Sequence, residues 1–88
     1  MIPFTICIEE IDSDKAATGR ELHKAYEWPL VPRIGEVVGV GGNLYEVHQV
    51  THDFDRTPAS ILVILRWPES DFKMLSSDVD WKRVFWDD

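Results

Sequence analysis

Pro32-Arg33-Ile34-Gly35-Glu36-Val37-Val38-Gly39-Val40-Gly41-Gly42-Asn43-Leu44-Tyr45-Glu46-Val47-His48-Gln49-Val50-Thr51-His52 reads as a strand, a tight glycine turn and a second, longer strand. Gly41-Gly42-Asn43 supplies the positive-φ residues that a short hairpin turn needs. After the turn, Tyr45 and Val47 share one face, yet the next apolar residue, Val50, has the opposite parity. Strict alternation forbids that change of face, and a β-bulge permits it. The stretch therefore predicts a small, strongly bent antiparallel sheet, and it carries no chemistry of its own.

Working outward toward the N-terminus, Ile2, Phe4, Ile6 and Ile8 alternate with Pro3, Thr5, Cys7 and Glu9, the period-2 signature of a half-buried strand. Ile11 breaks the alternation and marks a bulge or the strand's end. Residues 12–19 are polar and read as a loop closing on Thr18-Gly19. Residues 20–27 contain good helix formers, but Leu22, Tyr26 and Trp28 share one strand parity, so a returning strand is expected and a short helix is the competitor. Trp28-Pro29-Leu30-Val31-Pro32 is an extended linker, because a residue before proline is pushed out of the α region.

Toward the C-terminus, Asp53 to Pro58 is a loop and Ile61-Leu62-Val63-Ile64-Leu65 is apolar on both faces. Such a strand is covered on both sides, whether by its position inside the sheet, by a C-terminal element or by a second copy. Trp67-Pro68 ends it. In the tail, Ser76 or Ser77 is placed to cap a short helix with Asp78 and Asp80 in its first turn, Lys82 and Arg83 later, and Trp81 and Phe85 paired at i, i+4. The expectation is one domain over 1–88: a five-stranded antiparallel sheet with strands near 2–11, 20–27, 35–41, 44–54 and 60–67, then a tail over 68–88 with one short helix.

Composition narrows the function. Eighty-eight residues make one domain with a thin core, leaving no room for a cofactor domain beside a substrate domain. The net charge of −7 repels a phosphate backbone and an anionic membrane, so neither direct nucleic-acid binding nor membrane association is expected. A single cysteine, Cys7, excludes an intramolecular disulfide and points to a reducing, cytoplasmic setting. The N-terminus shows neither the basic region nor the apolar run of a signal peptide, and no segment reaches transmembrane length.

The pattern Pro32-x-x-Gly35-Glu36-x-Val38, Gly42, Tyr45-x-Val47-x-x-Val50-x-His52 resembles one that recurs in small uncharacterised bacterial proteins, many of phages, mobile elements or gene cassettes, with short SH3-like β-barrels. The resemblance covers about residues 18–66. It implies an SH3-like barrel and brings no catalytic residues with it.

Catalytic and metal constellations are weak. His48 and His52 lie four apart, which on a strand is about 13 Å and too far to share an ion, so no metal site and no cofactor are expected. Asp53 and Asp55 flank Phe54 in a loop and read as solvated. Gly39 to Gly42 lacks the helix and lysine of a phosphate loop. Cys7 has no basic sequence neighbour to activate it. Four Trp in so short a chain are harder to place, since a thin core does not bury them all. The reading is a non-enzymatic binding module for a protein partner of unknown identity, acting through Tyr26, Trp28, Trp67 and Trp86, with a two-fold homodimer also expected. Two alternatives differ in class: an acidic mimic of nucleic acid that blocks a basic protein, and a small enzyme built on His48, His52 and Asp53.

Overall fold

The computed structural model describes residues 1–55 and 60–85 of the chain. Strand makes up 58% of it, with one short helix, so the mainly-β expectation holds. The first strand, β1 (Ile2–Ile11), pairs antiparallel with β2 (Ala17–Trp28). The turn between them is tied by Asp12, whose Oδ1 accepts the amides of Asp14 and Ala16 at 2.9 and 3.0 Å. The turn therefore closes before Thr18-Gly19, not on it. Gly19, at φ +94°, instead sits in an irregularity within β2, where the register slips between Glu9 and Ile11.

The hairpin of β3 (Val37–Val40) and β4 (Asn43–Glu46) is a separate two-stranded ribbon. Its turn holds Gly41 at φ +60° and Gly42 at +85°, as the glycines require. A Cβ at Gly41 would meet Leu75 Cδ1 at 3.4 Å and Trp67 at 3.7 Å, ordinary contact distances, so the turn lies against the core and its positive φ is what calls for glycine. The strand expected over 44–54 is divided. Val47 exchanges backbone bonds with Gly35 and Glu36, while the amide of the next residue, His48, donates to Ile64 of the other sheet at 2.9 Å. The chain changes sheets there, and β5 (Gln49–Asp53) begins. The change of face at Val50 is real; a break between sheets makes it, where a bulge was expected.

The strand β6 (Ser60–Pro68) lies inside the main sheet, and its two neighbours are β5, antiparallel, and β1, parallel. The five-stranded sheet, ordered β5-β6-β1-β2-β7, is therefore mixed, and the wholly antiparallel expectation is corrected. Among the described residues the strands form no closed barrel. The interior place of β6 explains its apolar run: Val63 and Leu65 are fully buried, and Ile61, Leu62 and Ile64 are half-buried.

The helix falls elsewhere than expected. It is α1 (Glu69–Ser76), immediately after Pro68, with Glu69 and Asp71 in the first turn and Lys73 in the last. The same charge order that favours a helix over 77–86 is present eight residues earlier, and there Phe72 and Leu75 fall at i, i+3 on a face that meets the core. Residues 78–81 are a turn in which Asp78 Oδ1 accepts the Asp80 amide at 2.9 Å, and β7 (Lys82–Val84) follows, paired with β2. Trp81 is buried and Phe85 exposed, so their expected pairing is absent.

Ribbon and helix cover the same end of one sheet face. Ile8, Leu22, Val63, Leu65, Trp67 and Phe72 are at most 1% exposed there. Among the described residues, no helix is long and apolar enough to cross a membrane.

Candidate functional site

Along β1 and β2 the core-facing stripe runs from Glu10 to Ile2 and from Leu22 to Trp28, with Ile8 opposite Leu22, Phe4 opposite Tyr26 and Ile2 opposite Trp28. Cover runs out along it. Ile8 and Leu22 are wholly buried, whereas Trp28 is 63% exposed. Pro29 then keeps the chain extended, and the linker carries Leu30 and Ile34 outward before the ribbon begins with exposed Val37. A groove of about 450 Å³ lies between Trp28, Leu30, Val31, Pro32, Val37 and Val38. Arg33 and Glu36 form its polar rim, the Arg33 amide donating to Glu36 Oε1 at 2.6 Å. Among the described residues, β7 pairs with Glu21, Leu22 and His23 and no strand is paired to the outer edge of β2 nearer Trp28.

The structure separates the four aromatics named from the sequence. Trp28 lines the groove. Tyr26 is half-buried, stacked on Phe4 at 6.1 Å and tilted against Trp81 at 6.4 Å, with Lys24 Nζ 5.3 Å from its ring centroid, so it forms wall more than contact surface. Trp67 is 1% exposed and stacks on Tyr45 at 4.4 Å; it is core and presents nothing to a partner. Trp86 lies outside the described residues. His48, His52 and Asp53 share no hydrogen bond with one another among the described residues: the His52 ring stacks near Phe54 at 6.3 Å, and Asp53 Oδ1 accepts the Asp55 amide at 3.0 Å.

Two polar arrangements escaped the sequence. Glu10 continues the core stripe and is 1% exposed. Its Oε1 accepts Thr18 Oγ1 at 2.7 Å, Arg20 Nε at 2.9 Å and Arg20 Nη2 at 2.6 Å. The irregularity at Gly19 brings Thr18 and Arg20 to it. Glu10 Oε2 and the indole N–H of its register partner Trp67 have no hydrogen-bond partner among the described residues. The helix adds Asp71, which accepts from the Tyr45 hydroxyl; burial first, and then this bond, push the Tyr45 pKa up to about 12.

On the opposite face of the sheet, Cys7 and His23 are cross-strand partners and Glu21 is two residues from His23. Glu21 Oε1 accepts the Cys7 thiol at 3.1 Å and the His23 Nε2–H at 2.8 Å. Burial, then the hydrogen bond to Glu21 and the charges of Glu21 and Glu9, push the Cys7 thiol far above its usual range. That shift favours the protonated thiol over the thiolate. These three are the only group of ligating side chains among the described residues with donor atoms all within 4.8 Å. Nothing local in the sequence marks them: the strand register alone sets residue 7 against residue 23.

No family model matches this chain, and no curated protein or solved structure matches it.

Proposed function

We propose that this chain is a non-enzymatic binding module that takes an extended apolar segment of a protein partner into the groove at Trp28. The observation that supports it most is the concentration of large exposed apolar side chains around one groove: Trp28 at 63%, Leu30 at 74% and Val37 at 61%. A contiguous apolar area of this kind is uncommon on a soluble monomer unless something covers it. The neighbouring open edge of β2 offers backbone groups for an added strand, while Trp28 and Val37 offer side-chain anchors. The strongly bent, SH3-like reading of residues 18–66 belongs to the same proposal, since barrels of that kind hold peptides in aromatic grooves. A cytoplasmic setting completes it.

The test is affinity capture from the native host with the intact chain and with Trp28→Ala and Val37→Asp. A species held by the parent and lost from both variants, with folding intact, supports the reading. A truncated hot-spot aromatic costs about 2 kcal/mol or more, roughly thirtyfold in affinity. Sedimentation equilibrium at micromolar concentration separates the second-copy outcome: a dimer that Trp28→Ala dissolves makes another copy of this chain the occupant. Capture unchanged by both substitutions but lost on His48→Ala or His52→Ala overturns the proposal.

A further inference from the structure

We propose that Cys7, Glu21 and His23 form a binding site for one zinc-class divalent cation on the outer face of the sheet, away from the Trp28 groove. The donor set is the first argument. A thiol sulfur, a carboxylate oxygen and an imidazole nitrogen make a mixed S, O, N set that suits zinc, a borderline-soft ion without geometric demands of its own.

Placement is the second argument. Glu21 and His23 are i, i+2 on β2 and so project from one face, and Cys7 is the residue directly across from His23 on β1. Rigid strand backbone, not loop, holds all three. In a tetrahedral zinc centre, ligand atoms bound at 2.0–2.3 Å stand about 3.3–3.7 Å from one another. Here Sγ to Oε1 is 3.1 Å, Nε2 to Oε1 is 2.8 Å, and no pair exceeds 4.8 Å. Shifts of about an ångström or less suffice.

Charge is the third. Two protons, from the thiol and from the imidazole, converge on the single oxygen Glu21 Oε1. A dication takes their place: the Cys7 thiol releases its proton to solvent and binds as thiolate, and the neutral His23 ring moves its one proton from Nε2 to Nδ1 through solvent and binds through the freed Nε2 lone pair. Glu9 adds negative charge close enough to act on Cys7. Lys82, the register partner of His23 on β7, is the opposing cation, and its side chain is solvent-exposed. Cys7 is buried while Glu21 and His23 are 22% and 21% exposed, so the ion enters from the solvent side. Three protein ligands leave a fourth position to water, as in open zinc sites.

Cobalt(II) titration of the chelator-treated, reduced protein tests the site. The chain has one cysteine, so a thiolate-to-cobalt charge-transfer band belongs to Cys7. The expected result is that band, saturating at one equivalent and discharged by zinc. Cys7→Ser abolishes it. His23→Ala and Glu21→Gln weaken cobalt binding by at least the roughly 10–100-fold that loss of even an outer-shell partner causes, and His48→Ala leaves it unchanged. No charge-transfer band from the folded parent protein overturns the proposal, whatever the variants do. So does cobalt binding indifferent to His23→Ala, or binding that follows His48 and His52. The readout is independent of the Trp28 groove, so failure of one proposal leaves the other standing.

Discussion

Trp28 and Trp67 each stand in a Trp-Pro pair. Each ends a long strand, each precedes a proline, and each points to the same face of the same sheet. One is 63% exposed and the other 1%. The difference lies in what reaches them from elsewhere in the chain. Over Trp67 lie Tyr45 from β4, the Gly41 turn and Leu75 from α1. Over Trp28 lies only the groove made with the linker and β3. The covered end carries stability, and the open end is left with area to offer.

The largest break in this comparison is Trp67→Ala. Removing a fully buried indole from beneath the helix costs about 3–5 kcal/mol, measured by denaturant unfolding, whereas Trp28→Ala stays within about 0.5 kcal/mol. Similar costs for the two would dissolve the distinction. Arg20→Ala comes next. It strips two of the three donors from Glu10, a buried carboxylate in register with Trp67, and lowers stability by about 1–3 kcal/mol; Glu10→Gln in the same background recovers part of that loss. Full additivity of the two substitutions would remove the coupling.

Gly41→Ala probes how closely the ribbon lies on the closed end. The positive φ costs about 1–2 kcal/mol, and the added Cβ meets Leu75 and Trp67 at ordinary contact distance. Gly42→Ala, at φ +85° with nothing within 4 Å of its added Cβ, carries backbone strain without that contact, so a cost at Gly41 well above the one at Gly42 would mean a ribbon packed more tightly on the core than these distances show. The smallest effect is in the pH dependence. Tyr45 has its folded pKa raised to about 12 from the ordinary tyrosine value of 10.0. The folded state therefore holds its proton where the unfolded chain has lost it. The stability this contributes is fully present below pH 10.0 and is lost as pH rises toward 12. Unfolding curves across that window should show the loss in the parent and a shallower one in Tyr45→Phe.

Much of the β architecture was legible in the residues. The bounds of β1 are the expected 2–11, the Gly41-Gly42 turn is where positive φ demands it, and β6 shows its interior place by being apolar on both faces. The helix was legible in kind and misplaced in position. Glu69 to Leu75 and Ser76 to Phe85 carry the same ordering of acids and bases, and only the burial of Phe72 and Leu75 against the sheet selects the first. Of the aromatics named for binding, Trp28 is exposed and Trp67 is buried, and nothing in either Trp-Pro pair distinguishes them. The Cys7, Glu21 and His23 cluster was invisible for a different reason: its members are ordinary residues until a register aligns them.

By itself, the sequence determined what is local: the alternation that makes strands, the glycines that make a turn, the prolines that end elements, and a net charge of −7. The tertiary structure alone decided that β1 and β6 run parallel, that the chain changes sheets at Val47–His48, which Trp is covered, and which three ligating side chains meet. The physical reason is one of range. Backbone conformation answers to sterics within a few residues, whereas burial and side-chain clustering depend on surfaces that are distant in sequence and become neighbours only when the chain has closed on itself.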